Sequence, residues 1–443
     1  MKLPKSALNI ISMLENGGYE AYAVGGCVRD FILNKKCDDI DITTSATPDE
    51  MKVIFDNNGV KYYETGILHG TLTALISNDS FEITTFRTDG RYFDSRHPES
   101  VRFVSDISED LSRRDFTVNA MAYNDRKGIV DMFGGKEDIK NRIIRTVGDP
   151  DKRFREDALR IMRAIRFSSV LSFDIEDKTK KAIFENKELL KNVSYERIYN
   201  ELSKLLMGDN VYNVLVDYKE VLAVVIPELE YIFNIPQNTK WHIYDVWHHT
   251  AKSVEQSKKD LAIRYIMLFH DIGKAFTKTT DANGTDHFKG HQKVSGEYAV
   301  NIFSRLKAPN YITDRAMAVI PIHDIHIGRN KKNIKKWMSK IGEESLNDLI
   351  EVKKADKLAQ NLELTKEEIE NLNTTQKNIE EIIKAGEAFS VKDLSVNGND
   401  LIKLGLKGRE IGEMLGILLD NVIEEKVKND KEELLEYVKK ARE

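Results

Sequence analysis

Hydrophobic residues repeat at two different spacings along this chain, and the change near residue 140 restricts its fold more than any other feature. From about 20 to 135, strand-like runs (AYAV, DIDITT, GTLTALI, SFEITTFR) take turns with helical signals such as CVRDFILNK and TPDEMKVIFDN. Alternation marks half-buried strands, and a period of 3.6 marks helices. This stretch predicts a small mixed β-sheet with helices, an α/β head. Within TPDE, Thr47 is placed as N-cap, Pro48 at the first helical position and Glu50 to close a capping box, so a helix is expected to start there. Beyond about 140, strand patterns nearly vanish while DALRIMRAIRF, YERIYNELSKLLM and LAIRYIMLFHDIG keep helical spacing. The remainder is expected to be almost all α.

At ~100–200 residues per domain, 443 residues make two to four domains. Weak breaks at 230–242 and 364–378 suggest divisions at 1–146, 147–235, 236–362 and 363–443. The chain is 41% hydrophobic and 31% charged with mean hydropathy −0.44, a soluble globular composition. Its apolar runs fall short of the ~18–20 residues of a membrane span, and the opening MKLPKSALNIISMLENGG lacks a long apolar core and a small-residue cleavage site. No membrane association is expected, and a cytoplasmic setting is. Two cysteines, Cys27 and Cys37, are too few for a disulfide framework or a cysteine zinc site. The net charge of −5 argues against a protein that coats nucleic acid nonspecifically. Local basic tracks at 153–166 and at 329–340, the latter with Trp337 inside it, are candidates for RNA backbone contact, as is the Gly-Leu-Lys-Gly turn within 404–415.

The chemistry-bearing residues of the first half crowd into AVGGCVRDFILNKKCDDIDITT. Asp39 and Asp41 stand at i and i+2 of a strand pattern, so both are expected on one face, with Ile40 and Ile42 on the other and Asp38 turned away. Paired carboxylates repel unless a cation lies between them, and two-metal phosphoryl transfer requires such a pair. Glu82, in the alternating run SFEITTFR, is a candidate third metal carboxylate on a neighbouring strand; Thr84 and Phe86 are expected on its side. Gly25 and Gly26 allow backbone to approach a phosphate closely, and Arg29 on the following helical turn is placed to reach phosphate oxygens.

GGCVRDFIL, DIDITTSATP, ITTFRTDGRYFDSRHPESVRFV, DLSRRDFTVNAMAY and REDALRIMRAIRF, in that order, resemble class II CCA-adding tRNA nucleotidyltransferases and the related bacterial poly(A) polymerases. The resemblance runs motif by motif over roughly 20–210 and more loosely beyond. It implies transfer of nucleotides from CTP and ATP to a tRNA 3′ end without a nucleic-acid template, with no protein partner required. Asp39 and Asp41 would bind Mg²⁺, with Glu82 assisting. Gly25, Gly26, Arg29, Arg87, Arg113, Arg114, Asp115 and Asn119 would line the nucleotide site. Asp157 and Arg160 would read the base edge, with Arg163 and Arg166 as further nucleotide contacts. Residues 88–104 match a flexible loop linked to the switch between C and A addition. The helical spacing of Asp157, Arg160 and Arg163 fits one row, with Glu156 bracing Arg160. CCA addition, poly(A) addition and CC-only or A-only addition all fit this family, and a helical tail over 363–443 would bind tRNA.

Most of the ten histidines fall between His242 and His326. WHHT, LFHDIGK, FKGHQK, IPIHDIH and KKADKLA give an ordered series of His249, His270, Asp271, His291, His323 and Asp356. Imidazoles and carboxylates on successive helices suit a divalent metal, and spacing alone leaves His248 and His249 as alternatives. The series resembles the HD superfamily of metal-dependent phosphohydrolases. That resemblance implies His249, His270, Asp271 and Asp356 as ligands of a divalent metal, His291 and His323 as extra ligands, and Lys274 near a phosphate. A structural metal that only ties helices together, a chain that is mainly an RNA-docking phosphohydrolase, and a non-catalytic RNA-binding protein are the competing readings.

Overall fold

Residues 3–37, 39–76, 79–90 and 101–442 are described by a computed structural model. Asp38 and most of the expected loop at 88–104 lie outside these residues. The chain divides into two units, Met1–Pro227 and Glu228–Glu443.

The first unit runs α1 (Lys5–Asn16), β1 (Ala21–Val24), α2 (Gly26–Ile32), β2 (Asp41–Thr44), α3 (Pro48–Asn57), β3 (Lys61–Gly66), β4 (Thr71–Ile76), β5 (Asp79–Thr85), β6 (Arg87–Asp89), β7 (Val101–Phe103), α4 (Ile107–Ser112), β8 (Met121–Asn124), β9 (Gly128–Asp131) and α5 (Gly135–Asn141). Its seven-stranded sheet has the order β3-β4-β5-β2-β1-β8-β9. The β2–β5 pair is parallel and the other pairs antiparallel, so the sheet is mixed as the alternating pattern predicts. β1 lies between β2 and β8, and all four of its residues are buried. The strand is covered on both faces, so AYAV reads as a continuous apolar run. Tyr22 and Val24 pack with Phe86, Ile107, Leu111 and Ala122. Phe86 therefore does not share the open side with Glu82: β5 ends at Thr85, and the next residue drops into the core. α3 begins as expected, with the Thr47 N–H donating to Glu50 Oε2 at 2.7 Å.

Helices then take over: α6 (Pro150–Glu156), α7 (Leu159–Leu171), α8 (Asp177–Asn186), α9 (Tyr195–Leu206), α10 (Val211–Asp217) and α11 (Lys219–Val225), with one short parallel pair, β10 (Ile143–Ile144) and β11 (Asp174–Ile175). α9 is amphipathic, burying Ile198, Leu202 and Leu205 on one stripe, and Glu201 lies in that stripe too.

The second unit is built from α12 (Val246–Gln256), α13 (Leu261–Phe269), α14 (Lys274–Thr277), a two-residue hairpin of β12 (Thr279–Thr280) and β13 (Asp286–His287), α15 (His291–Leu306), α16 (Asn310–Val319), α17 (Lys331–Ile341), α18 (Glu343–Leu358), α19 (Leu362–Ala385), α20 (Gly398–Lys403), α21 (Arg409–Ile423) and α22 (Lys431–Lys440). The basic track on α17 is largely neutralised within the unit. Lys331 pairs with Glu381 at 3.1 Å, Lys335 with Glu387 at 2.9 Å, Lys332 with Glu425 at 3.0 Å and Lys336 with Glu424. Of these lysines only Lys335 is buried, while Lys331, Lys332 and Lys336 remain exposed beside their partners. Among the described residues, no helix is long and apolar enough to cross a membrane.

Candidate active site

β2 begins at Asp41, with Asp39 on the approach to it, and burial alternates as expected, Asp39 and Asp41 exposed and Ile40 and Ile42 buried. The strand starts there because pairing ends on one side. Val24, the last residue of β1, is opposite Asp41, and at Gly25 the chain turns away into α2. The same register puts the glycine turn beside the Asp41 carboxylate. On the other side Ile42 pairs with Ile83, which sets Glu82 next to Asp41 one step back. Burial pushes the Asp41 carboxyl above its ordinary range, Asp39 and Glu82 push it further, and Arg114 opposes them. Asp39 and Glu82 thus bear on Asp41 with Arg114 against them; among the described residues, the ligand atoms of these three carboxylates do not close into a group within 4.8 Å of one another.

Gly25 has φ +78°, a conformation that favours glycine, and a Cβ there would lie a tight 3.1 Å from Arg114 Nη1. Arg114 is held from below by Asp110 on α4, a fully buried carboxylate. Asp110 accepts from Arg113 at 2.7 and 3.0 Å, from Arg114 at 3.3 Å, and from the Arg87 N–H and the Thr43 hydroxyl at 3.4 Å each. Burial alone would raise its carboxyl, but Arg113 and Arg114 outweigh it and hold it below the usual carboxylate range. The Arg87 guanidinium donates to the His69 carbonyl.

A second cluster centres on Phe167. The guanidinium carbons of Arg29, Arg163 and Arg166 lie 5.3, 5.5 and 3.8 Å from its ring centroid. Arg29 is buried, donating to both oxygens of Asp30 at 2.9 and 3.0 Å and to Asn119 Oδ1 at 2.7 Å. Asn119 in turn donates to Asp115 at 3.4 Å, and Asp115 receives Arg163 Nε at 2.7 Å. Arg166 pairs with Glu201 on α9 at 2.7 Å, and burial draws its pKa down to about 10.

REDALRIMRAIR is not one helix. α6 stops at Glu156, Asp157 is extended (φ −141°, ψ 105°), and α7 starts at Leu159. The Asp157 carboxylate accepts the Leu159 N–H at 3.1 Å, and a side chain that caps an amide in this way competes with helix continuation. Its other oxygen accepts from Arg197 on α9 at 2.9 Å. Arg160 does meet Glu156 as expected, at 2.8 Å, and its remaining donors reach the Arg153 and Arg113 carbonyls at 3.2 Å each. Asp110 and Phe167 lie inside the quoted motifs without a role read for them there, and Arg197 and Glu201 lie outside those motifs. Two left signals: Asp110 stands four residues before Arg114, and Glu201 interrupts an apolar stripe.

In the second unit His249 on α12, His270 and Asp271 after α13, His291 at the start of α15 and His323 after α16 are all buried together, with Asp356 on α18 beside them. The choice left open by spacing falls to His249, because His248 turns to Asp245 at 2.9 Å. Lys274 Nζ sits 2.7 Å from Asp271 Oδ2 and donates to Gln237 at 2.7 Å. Burial lowers His270, but Asp271 and Asp356 prevail and raise it to about 9. Burial, with His270 and His291 adding, holds His323 down at about 3. His242, absent from the expected series, lines the same cleft and is lowered to about 3 by burial and by Lys274.

Three family models match: the Poly A polymerase head domain over residues 21–145, the "Probable RNA and SrmB- binding site of polymerase A" over 172–233, and tRNA nucleotidyltransferase domain 2 over 291–438. The crystal structure of the Bacillus stearothermophilus CCA-adding enzyme in complex with CTP is similar with a TM-score of 0.72 and 30% identity, covering 100% of this chain and 98% of that one. The chain belongs to the CCA-adding enzyme family. Curated CCA-adding enzymes of Lactobacillus helveticus (strain DPC 4571) and Geobacillus thermodenitrificans (strain NG80-2) are each 53% identical, over 210 and 209 residues. Those matches take in 47% of this chain and 52% and 51% of the relatives, so the chain spans about half the length of the curated relatives it matches. For this member of the CCA-adding enzyme family, the head model takes in Asp39, Asp41, Glu82 and the run from Arg113 to Asn119, while Asp157 to Arg166 falls between the first two models.

Proposed function

We propose that the chain adds C, C and A to the 3′ end of tRNA, in the cytoplasm, by attack of the terminal hydroxyl on the α-phosphorus of CTP or ATP with release of pyrophosphate. The observation that supports this reading is the register that sets Asp41 opposite Val24 at the glycine turn and next to Glu82 on β5, with Arg114 against Gly25. Asp39 and Asp41, with Glu82, would hold Mg²⁺, which when bound polarises the attacked phosphate and lowers the pKa of the hydroxyl. Arg114, positioned by Asp110, and the arginines around Phe167 neutralise the triphosphate. Arg29, Arg87, Asn119 and Gly26 complete its surroundings. Asp157 accepts and Arg160 donates to the base edge, and an acceptor beside a donor fork can match a cytosine or an adenine. The head would comprise 1–146 and the helical neck and body 147–235, with a tRNA-binding tail over 363–443.

The test is full-length chain with tRNA lacking its 3′ end, labelled CTP and ATP, and Mg²⁺, read by sequencing product ends. CCA and nothing longer is expected, and Asp41→Asn should give no extension. A long A tail would assign the poly(A) polymerase reading, and CC or A alone the corresponding partial enzymes. A chain unaffected by Asp41→Asn would overturn the active-site assignment.

The buried His and Asp cluster favours a second reading for 236–362. We infer an HD metal-binding domain in which His249, His270, Asp271 and Asp356 hold a divalent cation, with phosphohydrolase chemistry. Its test is metal analysis of the full chain before and after chelation.

A further inference from the structure

Both cysteines of the chain lie in the head as free thiols, at the corner where the glycine turn faces the approach to β2. β1 and β2 run antiparallel with Val24 opposite Asp41, so the residues leaving β1 and those leading into β2 lie across from one another. Cys27, in the first turn of α2, donates its thiol back to the Val24 carbonyl at 3.4 Å. Past the end of α2 the chain turns at Asn34, which takes a left-handed φ of +55°, and Cys37 donates forward to the Asp39 carbonyl at 3.0 Å. Each sulfur thus rests on a carbonyl at the same corner, and the two side chains meet there in a hydrogen-bonding contact.

The two thiols differ in access. Cys27 is buried and Cys37 half-buried, so an oxidant from solvent reaches the outer sulfur first and the inner one is placed to resolve it. Burial pushes the Cys27 thiol up to about 12, with Cys37 and Asp41 adding to the shift, and burial raises Cys37 as well. Thiols of this kind attack slowly but are also poor leaving groups, so a bond made between them resists reduction.

A bond here has a mechanical consequence. Asp39 lies ahead of the first paired residue of β2, and the Cys37 thiol is bonded to its carbonyl. Drawing Cys37 onto Cys27 removes that hydrogen bond and pulls on the segment leading to Asp39. Asp41 stays in place, because its strand is held between β1 and β5. The spacing of the two carboxylates then changes.

We propose that Cys27 and Cys37 form a reversible disulfide when the chain is oxidised, and that the bond switches off nucleotide addition by displacing Asp39 from Asp41. The switch rests on the function proposed above; the bond does not. The oxidant is a small disulfide. The Cys37 sulfur, its proton lost to water, attacks one sulfur of the oxidant, whose S–S bond breaks and releases one small thiolate. The Cys27 sulfur, likewise deprotonated, then bonds to Cys37 and expels the second. Two protein thiols are oxidised, and the two electrons and two protons end on the two small thiols released.

The experiment incubates the full chain with glutathione disulfide and reads intact mass, free thiols and peptide map, then kcat/KM for CTP on tRNA lacking its 3′ end with Mg²⁺. Loss of two hydrogens and of both thiols together is expected, with a cross-linked peptide joining Cys27 to Cys37. Because displacement of a reacting group by an ångström costs on the order of a hundredfold, kcat/KM should fall about a hundredfold and return with dithiothreitol. Cys37→Ser should form no internal bond and keep its rate under the same oxidant. Two intact thiols, or a mixed disulfide that never resolves, overturns the bond and the switch together. A bond that leaves kcat/KM unchanged overturns the switch, as does an equal loss in Cys37→Ser. No addition by the reduced chain overturns the proposed function and the switch with it, while the mass still decides the bond. If circular dichroism shows Cys37→Ser unfolded, the reversal by dithiothreitol decides the switch.

Discussion

Asp110 carries the heaviest electrostatic duty in the first unit, and replacing it by Asn is the sharpest test of how the head is held. The carboxylate is fully buried and serves two guanidinium groups, a backbone amide and a hydroxyl. Asn keeps the shape and one acceptor but strands two arginines without their counter-charge. Breaking a buried pair costs about 3–5 kcal/mol, and because Asn stays polar and isosteric the lower end, about 3 kcal/mol, is expected. In a unit of this size that corresponds to a fall in Tm of about 6–12 °C. The pH dependence fixes the sign. Because the native carboxyl is held below its ordinary range, its stabilisation is fully present above the unfolded value of about 3.9 and is lost as pH falls through the native value. Thermal unfolding of both proteins from pH 7 to pH 3 should show a gap that is full at neutrality and begins to narrow below about pH 4. A loss below about 0.5 kcal/mol, the range of ordinary surface changes, would refute the reasoning, as would a gap that persists undiminished in acid.

Gly25→Ala should cost about 1–3 kcal/mol from backbone strain alone and displace Arg114, raising KM for both nucleotides; an unchanged KM would separate the glycine from the site. Asp41→Asn should abolish nucleotide addition yet raise Tm in EDTA. The native carboxyl lies above its ordinary range, so its ionisation opposes folding at neutral pH, and the gain should fade once acid protonates it. Arg197→Gln should leave folding nearly intact while eroding discrimination between cytosine and other bases, measured as the ratio of kcat/KM for CTP and UTP. An unaltered ratio would show that Asp157 is oriented by other means.

The fold was legible where pattern and burial coincide. The alternating runs became strands of one mixed sheet, and TPDE opened a helix with its capping box in place, because those signals are local. Long-range partners escaped. The strand pattern of DIDITT starts before pairing does, because its neighbour β1 ends at Val24 and no spacing within DIDITT reveals where a partner strand stops. Arg29 carries a charge suited to phosphate, but Asn119, ninety positions away, claims one arm of it. The series REDALRIMRAIR looks continuous because every residue tolerates a helix; the break depends on Asp157 choosing the Leu159 amide and Arg197 over the helical row. In the second unit the ligand types were visible in order, while their meeting in one buried cluster depends on how α12, α13, α15 and α18 pack.

The break at Asp157 has a further consequence. Were 150–171 a single rigid rod, the spacing of Asp157 and Arg160 would be fixed by helical geometry, and their preference for a base would be a property of those two residues. Since the carboxylate sits at a joint and leans on α9, its aim is an adjustable setting whose dial is Arg197, forty positions downstream. Selectivity could then drift, or be retuned in the laboratory, through changes in α9 that never touch the nucleotide.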